Sequence, residues 1–352
     1  MNCGTGGEAV PLLTVRTSTE TIHLEPGQPF SAAGKGDFVD APDQHLEAVC
    51  RSVEAGEPWR AAVERQFAAW HRWLYDIITD PDRDLFHRSL ELRPSDLVLD
   101  IGSGWGQIAI PMARRNPVCS VEPKAAKIRF QRAVARQEGV EGNMWFINAD
   151  YGSVEFEPRF ALAIVNGVLE WVGASASGAP RAAQRAFLQK VRRELSPEGR
   201  CVIGIENRMG LKYLLGAPDD HTGASMISVF DAALARDKFQ RHAGRELRVF
   251  TYTVAEYEQL LRDAGFSRTE FFAALPDYKL PKIVLPLADP ATLNRFFAED
   301  HYVPEHSGVD GSLLPFQEEL RSLYRSLAQL GIAQYFVPSF YITAAVSAGD
   351  TP

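Results

Sequence analysis

Asp100, Glu122 and Asp150 each close an apolar run, in "LVLDIGSGWGQ", "VCSVEP" and "MWFINADY", and Gly102, Gly104 and Gly106 follow the first. Alternating glycines let a turn adopt conformations closed to other residues and let the backbone approach a ligand closely. The spacing excludes two common ligands. A triphosphate loop requires G-K-[ST], whereas Gly106 precedes Gln107, and the dinucleotide pattern G-x-G-x-x-G is missed by one residue. An acid directly before the loop would also repel a pyrophosphate. The same acid suits a cationic amino group, Glu122 suits the two hydroxyls of a ribose, and Asp150 with Tyr151 suits the edge and face of an adenine. Any one of these acids is equally at home as a helix cap or surface carboxylate, but three in this order at successive run ends form a pattern. Further along, "PDDHTG" presents His221 beside Asp219 and Asp220. An imidazole with an ordinary pKa near 6.5 is suited to take a proton at neutral pH.

These groups act together only if the runs carrying them are neighbouring strands. From Leu97 the texture is strand, turn and helix repeated, through the amphipathic "AAKIRFQRAVARQEG" stopped by Gly139, the strand "FALAIVNGVLEWV", the helix "RAAQRAFLQKVRREL" and the strand "SPEGRCVIGIE". Strands alternating with helices predict a parallel sheet covered on both faces, doubly wound by right-handed crossovers. Ligands in such sheets bind outside the carboxyl ends of the strands, where the three acids fall. After Glu206 a turn-rich insertion interrupts the rhythm. "TVAEYEQLLRDAGF" resumes as a helix with a Thr cap and a Gly stop, and "SRTEFFAALPDYKLP" and "SFYITAAVSA" read as further strands. The expected layout is an N-terminal loop and helical lid over 1–90, a cofactor-binding core over 91–206, and 207–352 completing the sheet with acceptor-binding insertions. The first ~40 residues are rich in Gly, Thr and Pro, and "SAAGKGDFVDAPDQ" reads as loop. Leu46 to Ile78 reads as helix, with Trp59, Trp70 and Trp73 as packing residues or as walls of a lid.

Composition sets outer bounds. The chain has 352 residues, a net charge of −8, 45% hydrophobic and 23% charged residues, ordinary for a soluble globular protein. The acidic balance argues against a general nucleic-acid binder. The four cysteines are scattered without a C-x-x-C pair, against a zinc site or disulfide framework. No run approaches the ~20 apolar residues of a membrane helix, and "MNCGTGGEAV" lacks the features of a secretory signal. A cytoplasmic protein without a membrane partner is expected.

Amino acid, ribose and adenine together compose S-adenosylmethionine. On these residues the chain resembles the class I S-adenosylmethionine-dependent methyltransferases over about Leu92 to Glu206. "LDIGSGWG" is similar to the family's first motif, "SVEP" to its second-strand acid, "NAD" to its adenine region and "AIVNGVLEWV" to the segment near the methionine end. The resemblance implies a Rossmann-like α/β fold with a mostly parallel seven-stranded sheet. It also implies a cofactor contacted by Asp100, Gly102, Ser103, Gly104, Gly106, Gln107, Glu122, Pro123, Asp150 and Tyr151, with its methyl directed at Asn166. Trp105 replaces a smaller residue in the loop, and Asn166 stands where many members have Asp. "IENRMGLKYLLGAPDDHTG" and "LPDYKLPKIV" resemble methyltransferases of polysaccharide and glycan assembly, which implies a sugar hydroxyl as acceptor.

Transfer to a hydroxyl calls for a base. His221 is the first candidate, oriented by Asp220 or Asp219, with the bland alternative of a turn or cap residue. Glu206 and Glu170 come next, Glu206 being equally suited to pair with Arg208. Arg208, Lys212 and Lys279 with Tyr278 are expected to line an acceptor pocket suited to phosphate or carboxylate, alongside Trp171, Asn207 and Tyr213. Their bland alternative is solvated surface charge. No cluster of His, Asp and Cys at ligand spacing is apparent, so no metal is expected. An N- or C-methyltransferase of a natural product is the alternative enzyme, and a non-catalytic cofactor-binding partner protein the alternative class. The sequence leaves open whether the helix from Leu313 to Leu330 packs within one chain or makes a homo-oligomer.

Overall fold

The computed structural model describes residues 12–32, 40–157, 160–174, 176 and 178–346. Cys3 and the tract 33–39 lie outside the described residues. The first three strands are β1 (Leu13–Arg16), β2 (Thr21–Leu24) and β3 (Pro29–Ser31). The core strands follow as β4 (Val98–Ile101), β5 (Val118–Val121), β6 (Met144–Asn148), the short β7 (Glu155–Phe156), β8 (Phe160–Asn166) and β9 (Leu195–Glu206). The last three are β10 (Arg268–Leu275), β11 (Ile283–Pro286) and β12 (Ser339–Ala345).

Nine strands form the main sheet in the order β11-β10-β12-β9-β8-β4-β5-β6-β3. From β9 to β3 neighbours run parallel, whereas β12 is antiparallel to both β9 and β10, and β11 is antiparallel to β10. Two apolar layers cover the sheet, one on each face. This explains why β4 and β5 are buried at every position and read as unbroken apolar runs. The chain leaves β4 towards β5 and β6, then returns to β8 and β9 on its other side, so the loop after β4 opens at the point where the winding reverses.

The expected seven strands become nine because a short strand is added at each edge. Pro29–Ser31 pairs with Phe146–Asn148, and Ile283–Pro286 pairs with Phe272–Leu275. The expected N-terminal loop instead holds three strands, of which β1 joins β2 and β7 in a second, three-stranded sheet. Segments of three or four residues carry too little periodicity to stand out, and β3 and β1 pair with β6 and β7, more than a hundred residues away.

The helices Asp43–Glu54, Trp59–Phe67 and Arg72–Thr79 pack onto one face of the core through Leu46, Val49, Val63 and Phe67. Trp105 is their anchor. Its ring lies edge-on to Phe67 at 5.7 Å and to Phe130 at 5.0 Å, and its indole N–H donates to Asp40 Oδ2 at 2.8 Å. The large residue in the glycine loop therefore serves to dock the N-terminal helices. Trp59 donates to Glu138 and Trp73 stacks on His306, while Trp70 is half exposed. The helix Val254–Asp263 starts at a capping box in which Thr253 and Glu256 satisfy each other's backbone N–H groups. Among the described residues no helix is long and apolar enough to cross a membrane.

Candidate active site

The residues expected to hold the cofactor lie at the tips of β4, β5 and β8. Gly102 lies at φ +67°, and a Cβ there would stand 2.5 Å from Val168 Cγ2, so both conformation and space demand glycine. The loop is pinned from behind. Gly102 and Ser103 donate to the Val121 carbonyl at 2.8 and 3.1 Å. The Gln131 amide donates to Ser103 Oγ at 2.9 Å and to the Gly104 carbonyl at 2.7 Å. Glu122, buried, accepts the Gly104 N–H on one oxygen at 3.1 Å and the Lys124 N–H on the other at 3.0 Å. Each carboxylate oxygen has two lone pairs, so both retain capacity for a ribose hydroxyl.

Asp100 is buried and its Oδ2 has no hydrogen-bond partner. Burial pushes its carboxyl up to about 7, with Glu122 adding to the rise and Arg83 opposing it. A buried carboxyl with an unused oxygen is a seat for a cationic donor. At the tip of β8, Asn166 has both side-chain polar atoms buried without partners. Its carbonyl fills the space left by Gly204 on the next strand, where a Cβ would approach Asn166 Oδ1 to 2.0 Å. The orphaned atoms of Asp100 and Asn166 and the spare capacity of Glu122 fit the amino group, methionine end and ribose of S-adenosylmethionine. Asp150 is half-buried just beyond β6, and the Pro123 carbonyl accepts from Asn148.

Tyr151 departs from expectation. Its hydroxyl donates to Glu194 and its ring packs edge-on against Phe187 at 5.3 Å. Its side chain is thus committed to the helix Pro180–Glu194 and does not present a face for adenine. Gln107 lines a cavity of about 250 Å³ shared with Trp59, Arg60, Asp84 and Arg88 beneath the N-terminal helices.

The residues expected on the acceptor side lie at the neighbouring tips. Glu170, in the turn after β8, and Glu206, the last residue of β9, are fully buried and converge on His221. His221 Nε2 stands 3.5 Å from Glu206 Oε2 and 3.6 Å from Glu170 Oε1. The second oxygen of Glu170 and Oε2 of Glu206 have no hydrogen-bond partner. Asp219 fixes the turn that aims the ring, accepting the His221 N–H at 3.1 Å and the Thr222 N–H at 2.8 Å. Trp171 packs edge-on to the imidazole at 5.2 Å. Burial alone would depress the imidazole, but the carboxylates of Glu206, Asp219 and Glu170 outweigh it and push it up to about 10. His221 is therefore a cation at neutral pH, not the neutral acceptor that its ordinary pKa suggests.

Several expected roles are taken over by structure. Asp220 does not orient His221. It is buried between Lys212, at 3.2 Å, and Lys279, at 3.0 Å. Burial works against its ionisation, yet these two ammonium groups hold the carboxyl well below its usual range. Arg208 pairs with Glu256 at 2.8 Å and donates to the Val229 and Phe230 carbonyls, tying the insertion to the helix Val254–Asp263. Asn207 bridges to the Tyr335 and Val337 carbonyls, and Tyr213 is buried in the core. Lys279 bonds Glu206 Oε1, as does the Tyr278 hydroxyl at 3.3 Å. The cations expected to receive a phosphate or carboxylate are thus already neutralised. Glu170, Glu206, Asp219, Asp220 and Asp277 surround Lys212, Lys279 and the His221 imidazolium.

Spacing alone missed Gln131 and Lys127, although a signal was there. They lie with Phe130 and Val134 on one stripe of the helix Ala125–Gln137, and all four are buried. Two polar residues on an apolar stripe point inward to partners: Gln131 to the glycine loop, Lys127 to Asp40 at 2.8 Å. Asp277 and Glu305 had no such signal, since only the fold brings them to Lys212.

Residues 92–227 match a methyltransferase domain family. Solved structures similar to this chain include a protein of Nostoc punctiforme described as an O-methyltransferase, at 19% identity and TM-score 0.41 over 66% of this chain and 65% of that one. Others are the CcbJ methyltransferase from Streptomyces caelestis, at 21% identity and TM-score 0.33 over 38% and 56%, and a Haemonchus contortus phosphoethanolamine N-methyltransferase 2 in complex with S-adenosyl-L-methionine, at 14% identity and TM-score 0.44 over 85% and 60%. The chain spans less than two thirds of the length of each of these. No curated protein matches it by sequence. Residues 92–227 thus match a methyltransferase domain, and the strand order agrees with that match.

Proposed function

We propose that the protein methylates a hydroxyl of an uncharged acceptor, a sugar on a glycan or glycosylated natural product. The observation that carries this reading is the convergence of Glu170, Glu206 and His221 beside Asn166, next to the strand whose tip holds Asp100. The bound cofactor supplies a methyl group activated on a sulfonium. Asp100 and Glu122 hold its amino and ribose ends, so that the methyl is presented at the tips of β8 and β9. Alignment of this kind is worth ~7–11 kcal/mol of barrier, and removal of the hydroxyl proton contributes roughly 10²–10⁴ in rate. In this reading the unpartnered oxygens of Glu170 and Glu206 take up that proton. The five carboxylates outnumber Lys212, Lys279 and the His221 imidazolium, so the acceptor side disfavours phosphates and uronates and favours neutral polyols. An amine acceptor is the second reading, supported by the same charge, which attracts a protonated amine.

The test is turnover of S-adenosylmethionine against a panel of sugars, glycosides and amines, with product mass identifying the methylated acceptor. Glu206→Gln and Glu170→Gln are each expected to lower turnover by about 10² while changing S-adenosylhomocysteine affinity by no more than about twofold. Cofactor binding without turnover on any acceptor refutes the enzymatic reading and leaves a cofactor-binding partner protein.

A further inference from the structure

The separations around His221 are too long for hydrogen bonds, which require heavy atoms within about 3.2 Å. They match a different arrangement. Two ligands each ~2.1 Å from one ion are ~3.0 Å apart at a right angle and ~3.4 Å apart at the tetrahedral angle. Nε2 of His221 is 3.5 Å from Glu206 Oε2 and 3.6 Å from Glu170 Oε1, and one ligand atom from each residue lies within 4.8 Å of the others. Glu206 has only one oxygen engaged, by Lys279 and Tyr278, leaving Oε2 unpartnered and buried. In Glu170 it is Oε2, the oxygen next to the one that faces His221, that is buried without a partner. Unpartnered buried carboxylate oxygens are rare in folded proteins and ask for a partner. The five carboxylates around the site outnumber Lys212, Lys279 and the His221 proton, and an ion bound at Nε2 displaces that proton.

We propose that Glu170, Glu206 and His221 bind a divalent metal ion of mixed nitrogen and oxygen preference, such as Mn²⁺ or Zn²⁺. One imidazole and two carboxylates suit such ions better than Ca²⁺, which takes all-oxygen sites. Three protein ligands leave positions open, as in catalytic rather than structural sites. This inference rests on the methyltransferase reading only for its role, not for binding. In that role the ion takes the acceptor hydroxyl into an open position and lowers its pKa. Because the carboxylates then hold the ion instead of taking the proton, the O–H bond breaks with its proton released to water, and the oxygen's electron pair forms the new C–O bond. The C–S bond of the cofactor breaks with its pair on sulfur, yielding the methyl ether and S-adenosylhomocysteine. Two adjacent sugar hydroxyls are a natural bidentate partner for the open positions. Asp219 is then a positioning residue that aims His221 through its backbone.

The experiment titrates the full chain, stripped with a chelator, with Mn²⁺ while the free-ion electron paramagnetic resonance signal is followed. Zn²⁺ uptake after dialysis is measured in parallel. One ion bound per chain is expected. Nitrogen modulation in the pulsed spectrum of bound Mn²⁺, detected on the wild type, reports the His221 ligand without any substitution. His221→Ala and Glu170→Gln are each expected to weaken binding by about tenfold or more, with S-adenosylhomocysteine affinity unchanged by calorimetry. Wild type that takes up neither ion, or bound Mn²⁺ without nitrogen coupling, overturns the proposal. In that event metal-free calorimetry with S-adenosylhomocysteine still decides the methyltransferase reading separately.

Discussion

Replacing Glu122 separates two jobs that one carboxylate performs. In the structure its oxygens accept the Gly104 and Lys124 N–H groups at 3.1 and 3.0 Å, so it caps the glycine loop before any cofactor arrives. In the proposed complex it also accepts ribose hydroxyls. Hydrogen bonds to a charged group are worth about 1.5–3 kcal/mol, so Glu122→Ala is expected to weaken S-adenosylhomocysteine binding by about 10- to 150-fold. Two backbone donors are stranded as well, which lowers unfolding stability by about 1–3 kcal/mol. Glu122→Gln retains one acceptor oxygen and loses the charge, so the expected loss of affinity is smaller, about five- to tenfold. Isothermal titration calorimetry near neutral pH reads affinity, and urea unfolding of the ligand-free variants reads the cap. An alanine variant that loses stability but binds within about twofold of wild type refutes the assignment, because Glu122 is then only a loop cap.

Three further perturbations probe other parts of the construction. Gly204→Ala places a Cβ 2.0 Å from Asn166 Oδ1 and 2.9 Å from the Tyr278 ring. It displaces the residue at the methyl end and should lower turnover by about 10²-fold, measured as S-adenosylhomocysteine formed under saturating substrates. Lys212→Met strands Asp220 in the interior, with only Lys279 left as a cation. The expected destabilisation is about 3–5 kcal/mol, recovered in large part by the double variant Lys212→Met, Asp220→Asn, with chemical unfolding as the readout. His87 is buried with both ring nitrogens unpaired, and burial drives it down to about 3, the nearby arginines adding to the effect. The folded chain resists protonation that the unfolded chain accepts below pH 6.5, so its contribution to stability holds above 6.5 and is lost as pH falls towards about 3. Wild type should lose about 2 kcal/mol more than His87→Leu between pH 6.5 and about 5, read by urea unfolding at each pH.

The sequence by itself determined the sheet and the cofactor edge. Unbroken apolar runs ending in Asp100, Glu122 and Asp150, with helices between them, fix parallel strands and the side on which a ligand sits. Short-range pattern carries that information, because a buried parallel strand must be apolar at every position and a ligand loop must be glycine where the backbone turns. It also placed Glu170, Glu206 and His221 after strand ends. The tertiary structure alone decided what each charged group does there. Lys212 and Asp220 lie eight residues apart, but Lys279, Asp277 and Glu305 reach the same interior from the second half of the chain. Which cation neutralises which carboxylate therefore follows from packing, not from spacing. Tyr151 and Arg208 stand at positions that read as functional yet are held by Glu194 and Glu256, because a partner within hydrogen-bond reach outweighs sequence position. His221 turned from a base candidate into a cation for the same physical reason. The charge state of a buried imidazole is set by the carboxylates that the fold brings to face it.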